Sequence, residues 1–190
     1  MSLSHIYATH AIVLKRRNIA ETDRIVTIFS KEFGRMRVYA RGVRRVHSRR
    51  SAYLEVFSHT VFVLHRGKTW DSVTEATPLH AFSSLRSDLP RVSQAYYLCE
   101  LVDALLPERQ EHRDVYTLLL GTLIALNDSL EIDPVAVSEQ FALELLRCLG
   151  YLARDRALPT NQIEPYIERI IEKRLRAPRI LSQLSGTISL

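Results

Sequence analysis

Between residues 8 and 76 the chain offers five stretches with the two-residue alternation of a β-strand, and no room for a helix between them. The first is 8–16, Ala-Thr-His-Ala-Ile-Val-Leu-Lys-Arg. The second is 22–30, with Ile25, Thr27 and Phe29 on one side and Val26 and Ile28 on the other. The link from Arg17 to Glu21 is short enough for a hairpin, and Gly34 separates the second strand from the third at hairpin spacing. The third covers 35–41, with Arg35 and Arg37 opposite Met36 and Val38. The fourth is expected over 54–64 and the fifth over 69–76, across the turn His65-Arg66-Gly67-Lys68.

An open sheet of this size would need its edges covered, and closure into a small barrel removes them. Five strands of this length are typical of an OB-fold, and an SH3-like barrel fits the pattern almost as well. Pro78 is expected to end the strand region. Helical spacing follows. Residues 91–106 place Val92, Ala95, Tyr96, Cys99, Val102 and Leu106 on one face. Residues 112–127 are apolar nearly all round, which predicts a central helix. Asp133-Pro134 reads as an N-cap followed by proline at the first helical position, and Gly150 as the stop of that helix. A last helix is predicted from Pro165 to Leu175, with Ile167, Ile170 and Ile171 inward. The fold class is therefore α+β, with an OB barrel over 1–80 and an all-helical part over 81–190.

Charge is divided between these parts. Residues 1–80 carry 14 Lys and Arg against 6 Asp and Glu, and residues 81–190 carry 12 against 15, within a net charge of +5. Seven arginines fall between Gly34 and Arg50, and no acid occurs between Glu32 and Glu55. A solvated edge strand kept soluble by charge is the bland reading. Seven like charges repel one another, which favours a polyanionic partner, and arginine suits bidentate phosphate contact and stacking on bases. The candidate DNA-binding residues are Lys15, Arg16, Arg35, Arg37, Arg41, Arg44, Arg45, Arg49 and Arg50, with Arg17 beside the first two. Tyr39 and His47 are candidate stacking groups, whereas Tyr53 also fits the core. With no base-reading motif, binding is expected to show little sequence preference and a steep salt dependence.

Catalytic patterns are lacking. The chain has no Walker-type phosphate loop and no Gly-x-Ser-x-Gly elbow. Its seven histidines are scattered, and His10, His59 and His65 read as structural or solvated. Pairs such as Glu100 with Asp103 fit a solvated helix face. No enzyme activity, metal or cofactor is expected. Cys99 and Cys148 lie in apolar helical runs without Cys-x-x-Cys spacing and read as buried free thiols. The N-terminus lacks the pattern of a signal peptide, and the longest apolar run is broken by Gly121 and Thr122, so a cytoplasmic protein without a membrane anchor is expected.

The stretches Ala11-Ile12-Val13-Leu14-Lys15, Glu21-x-Asp23-Arg24-Ile25-Val26-Thr27-Ile28-Phe29, Gly34 and Arg41-Gly42-Val43-Arg44-Arg45 together resemble the RecO family of bacterial recombination mediators. Phe141-x-Leu143-x-Leu145-Leu146-x-x-Leu149-Gly150-Tyr151 is similar to the family's helical signature, and Leu175-Arg176-Ala177-Pro178-Arg179-Ile180-Leu181 to its C-terminal end. The resemblance implies an N-terminal OB-fold, a helical second domain and no enzymatic turnover. It implies binding of single- and double-stranded DNA, ATP-independent strand annealing and partnership with RecR in loading RecA onto DNA coated by single-strand-binding protein. Such a protein would sit in the bacterial cytoplasm with the nucleoid. Arg41, Arg44 and Arg45 match the family pattern. One departure stands out: Leu152 to Thr160 occupies the place of a four-cysteine zinc segment found in many members, so no zinc is expected. The alternatives are a non-enzymatic adaptor that docks protein partners, and an RNA-binding OB protein.

Overall fold

A computed structural model describes residues 5–19, 21–43, 53–129 and 131–177. Five strands are present: β1 (Ile6–Ile19), β2 (Asp23–Ser30), β3 (Gly34–Ala40), β4 (His59–His65) and β5 (Asp71–His80). They close into a barrel in the order β1-β2-β3-β5-β4. The 14 residues of β1 let one strand serve two neighbours. Its first half pairs with β4 (Ala8 opposite Val63) and its second half with β2 (Val13 opposite Ile28). The β3–β5 seam is parallel and short, with Val38 opposite Asp71 and Tyr39 opposite Ser72. A five-stranded barrel with one weak seam is the OB architecture. Alternation supplies the core: Ala11, Val13, Val26, Ile28, Met36, Val38, Phe62 and Leu64 all point inward. Each large side chain of this set contributes about 1.5–3 kcal/mol on burial.

The strand boundaries differ from expectation at two places. β4 begins at His59, not at 54. Leu54, Val56 and Phe57 are buried, but in a turn in which Phe57 adopts φ 56° and its N–H bonds to the Val13 carbonyl at 2.7 Å. Their apolar spacing fits the filling of the barrel, not a ladder. β5 runs through Pro78, which was expected to end it. Pro78 lies opposite Thr60 beside a bulge, a position where a missing N–H is tolerated.

The chain forms two compact units. The barrel unit holds the residues up to Phe82 and also Leu106–Tyr116, and the helical unit holds Ser83–Leu105 with the residues from Thr117 onward. Within the barrel unit, the segment 106–116 lies along the start of β3. The Arg109 N–H donates to the Arg35 carbonyl at 2.7 Å, and the backbones of Glu108 and Arg35 form an isolated parallel β-bridge. Gly34, at φ 68°, sits against the backbone of Gln110 with no space for a Cβ. Tyr116 packs against Phe29, with ring centroids 5.8 Å apart.

The helical elements are α1 (Ser83–Arg86), α2 (Leu89–Leu105), α3 (Arg113–Asp128), α4 (Pro134–Cys148) and α5 (Thr160–Ile171). Asp133 caps α4 by accepting from the Val135 N–H, Pro134 opens it, and Gly150 follows it at φ 76°. The expectation of a central helix at 112–127 is corrected. α3 buries a stripe (Val115, Leu119, Leu123, Leu126) and leaves Gly121 exposed. It is α2 that is buried on most sides. Arg91 escapes notice as a core residue in sequence, yet it is 5% exposed and its guanidinium donates to the Leu126 carbonyl at 3.0 Å. Tyr96, expected inward, is exposed. Cys99 is buried as expected, but Cys148 is exposed. α5 starts before Pro165 and carries that proline inside it, with Ile163 and Ile167 buried.

His59 fixes β4, β5 and the 106–116 segment together. Its Nδ1 lies 2.9 Å from His80 Nδ1 and its Nε2 lies 2.9 Å from the Tyr116 hydroxyl. Burial first, then the neighbouring His80 and His10, push its pKa down to about 4. The unfolded chain takes up a proton near pH 6.5 that the folded chain refuses until about pH 4. Stability is therefore full above pH 6.5 and falls as the pH drops toward 4. We expect a loss of about 2 kcal/mol over that window, absent in His59→Gln, as read by urea denaturation at several pH values.

Candidate nucleic-acid interface

The outer wall of β1-β2-β3 is built by register. Val13 faces Ile28 in the core, and the next pair along the ladder is Lys15 opposite Thr27. Leu14 is thus the extra residue of a β-bulge. Without the bulge, alternation would keep Lys15 on the inward side with Ala11 and Val13; with it, Lys15 and Arg17 turn outward. Thr27 in turn pairs with Arg37, and Ile25 pairs with both Arg17 and Tyr39. Two cross-strand rows result: Lys15–Thr27–Arg37 and Arg17–Ile25–Tyr39. Paired residues share a face and stand close to one another. Lys15, Arg17 and Arg37 are exposed, and Tyr39 is half-buried. Arg41 extends the surface, with its guanidinium carbon 5.7 Å from the centre of the Tyr39 ring.

A third row, Ile12–Phe29–Arg35, lies on the same wall but is closed off. Ile12 and Phe29 are fully buried, and Arg35 Nε donates to the Leu106 carbonyl at 2.9 Å. Arg35 thus helps hold the 106–116 segment. Arg16 pairs with Val26 and has the opposite parity from Lys15. Its guanidinium lies 2.5 Å from Glu55, which also takes Arg24 at 3.3 Å. Of the sequence candidates, the structure brings together Lys15, Arg37, Tyr39 and Arg41, sets Arg16 apart and half-buries Arg35. Arg37 lies 3.9 Å from Glu108, with both side chains well exposed, a pairing that contributes little. Arg44, Arg45, His47, Arg49 and Arg50 lie outside the described residues, as does the stretch Pro178 to Leu181.

The turn that follows β3 is tied down by Asp23. Its carboxylate accepts from the Tyr39 hydroxyl, from the Gly42 N–H at 2.7 Å and from Thr22 Oγ1 at 2.9 Å. These bonds, the Tyr39 one foremost, hold the Asp23 pKa below the usual carboxylate range. The same bond raises the Tyr39 phenol above its ordinary value. Gly42 sits at φ 65°, a region that favours glycine. Arg17, Ile25 and Thr27 enter the face through the bulge and the register. In sequence Asp23 was legible only as part of the second strand and of the family-like stretch from Glu21 to Phe29, with no site role. Among the described residues, no group of three or more His, Cys, Asp or Glu side chains is placed to hold a metal ion. Nor is any described helix long and apolar enough to cross a membrane.

Comparison with known proteins now bears on this wall. Residues 1–82 match the family model described as recombination protein O N terminal, and residues 86–154 match recombination protein O C terminal. The chain belongs to the RecO family. It is 44% identical over 146 residues to the DNA repair protein RecO of Roseiflexus sp. (strain RS-1), an alignment covering 77% of this chain and 50% of that relative. Against the same-named protein of Symbiobacterium thermophilum it is 39% identical over 146 residues, covering 77% and 57%. Against that of Desulfitobacterium hafniense (strain DSM 10664 / DCB-2) it is 34% identical over 149 residues, covering 78% and 54%. The chain spans about half the length of these curated RecO relatives. Residues past 154, α5 included, lie beyond the two family matches.

Proposed function

We propose that this RecO-family chain works in DNA repair and recombination by binding single- and double-stranded DNA on the outer wall of its barrel. The observation that carries the reading is the pair of rows Lys15–Thr27–Arg37 and Arg17–Ile25–Tyr39, which expose Lys15, Arg17 and Arg37 and are extended by Arg41. Cations spaced along a strand face meet successive phosphates, and Tyr39 with Arg41 offers a flat surface for a base. Such a face neutralises phosphate charge, so two complementary strands approach without their usual repulsion and anneal without ATP. No bond is made or broken, and the chain acts as a mediator, not as an enzyme. Family membership supports the remaining parts of the reading: partnership with RecR, action on DNA coated by single-strand-binding protein, delivery of RecA, and a place in the cytoplasm with the nucleoid.

The test is annealing of complementary fluorescent oligonucleotides across a salt series, with and without single-strand-binding protein. Acceleration at low salt that fades as salt rises is the expected result. Equal rates with and without the chain would overturn the reading. Preference for RNA strands over DNA would favour an RNA-binding OB protein instead.

A further inference from the structure

Two charges on α3 stand at the wrong ends for a solitary helix. Arg113 is its first residue and Asp128 its last. A helix N-terminus is positive and a C-terminus negative, so each charge is unfavourable where it stands. Asp114 in the first turn offsets this at one end, but no base stands in the last turn to offset it at the other. Between the two ends, Val115 to Asn127 contains no charged residue. Nearby contacts of the two charges are slight. Arg113 bridges to Glu111, with both side chains well exposed, and Asp128 accepts from the side-chain amide of Asn127 at 2.6 Å.

Only one side of α3 serves the core, through Val115, Leu119, Leu123 and Leu126. The opposite side carries Arg113, Thr117, Leu120, Gly121, Ile124 and Asp128, which fall within about 100° of one another around the axis at the α-helical repeat. Arg113, Thr117, Gly121 and Asp128 are exposed, and Leu120 and Ile124 are half-buried. Gly121 has open space where a Cβ would be. A helix face turned to water is ordinarily polar and charged. This one is charged only at its ends, with a cation at one and an anion at the other.

We propose that this face pairs with the same face of a second copy of the chain, α3 against α3, antiparallel about a two-fold axis. Setting Arg113 opposite Asp128 of the second copy also sets Thr117 opposite Ile124 and Leu120 opposite Gly121, and the two-fold repeats every pairing. The face consists of two rows with a four-residue step, Arg113-Thr117-Gly121 and Leu120-Ile124-Asp128, and such rows interdigitate when helices pack. Leu120 then reaches the gap at Gly121. Each charge that opposes its own helix dipole comes to lie at the end of the other helix that it suits, Asp128 by an N-terminus and Arg113 by a C-terminus. A nucleic acid or an anionic membrane asks for cations at both ends and fits this face less well. One 16-residue helix per copy is a small interface, so a dissociation constant of about 10 μM is expected.

The test is the mass of the full chain by sedimentation equilibrium without DNA, from about 1 to about 200 μM at low ionic strength. Monomer at the dilute end and dimer at the concentrated end is the expected result. Arg113→Glu alone and Asp128→Lys alone each set like charges face to face twice in the dimer, and should weaken association about tenfold or more. Arg113→Glu/Asp128→Lys restores opposite charges and should return association to within about threefold of the unaltered chain. Thr117→Lys, which sets a cation against Ile124 of the second copy, should leave monomer throughout. Each single reversal brings its charge into line with its own helix dipole, so the dilute chain should melt no lower and loss of dimer is not loss of fold. A chain that stays monomeric to the top of the range overturns the proposal and leaves the face to another occupant. A dimer that both single reversals leave intact, or that the combined change fails to restore, overturns the pairing of α3 with α3. With no DNA present, neither result bears on the DNA reading.

Discussion

Reversing Lys15 and Arg37 together is expected to weaken binding of single-stranded DNA about 100-fold near 0.1 M salt, and to reduce the slope of log affinity against log salt by about 1.4. The two side chains stand in one row across β1, β2 and β3, so they meet the same stretch of a bound strand. Removing two phosphate contacts accounts for the change in slope, and the introduced carboxylates add repulsion. The control is Arg16→Gln. Arg16 is adjacent in sequence to Lys15, but its guanidinium is occupied by Glu55 and its parity is opposite. Its loss should change affinity less than about threefold. Anisotropy titrations over a salt series separate the two outcomes. If Arg16→Gln matched the double reversal, the wall would not be the binding face.

Gly34→Val should damage the barrel unit more than any surface change. A Cβ at Gly34 would run into the Gln110 carbonyl, and φ 68° is strained for a β-branched residue. Either β3 shifts at its start or the 106–116 segment lifts from Phe29 and Arg35. We expect a loss of about 3 kcal/mol and a fall in melting temperature of roughly 10 °C. Gly121→Ala is the counterpart. Gly121 is inside α3, exposed, with open space where its Cβ would be, so alanine should stabilise by about 0.5–1 kcal/mol. A Gly34→Val protein that melts like the unaltered chain would show that the close approach to Gln110 does not hold the segment.

Strand content was readable because alternation is a local signal: β2 and β3 lie within a residue of where Ile25–Phe29 and Arg35–Val38 put them. The Asp133 cap was readable for the same reason. Position within a three-dimensional stack was not. Leu54 and Val56 alternate like a strand yet are buried from a turn. Arg91 and Ser93 are polar yet buried in α2, so the most enclosed helix did not read as apolar all round. At the candidate site, composition located the arginines but not their faces. The bulge at Leu14 is invisible in a single sequence, and it decides that Lys15 joins Arg37 while Arg16 joins Glu55.

The segment Leu106–Tyr116 belongs to the barrel unit although it follows α2 in the chain. A ribosome therefore releases all five strands before the piece that packs on Phe29 has been made. Until Tyr116 emerges, Phe29 is without that cover, and transiently exposed apolar surface is where partly folded chains associate. Contacts from Phe29 to Tyr116 and from Gly34 to Gln110 also span long stretches of sequence, and late, non-local closure of this type slows folding. The barrel's completion is thereby timed by synthesis of the helix that precedes its cover.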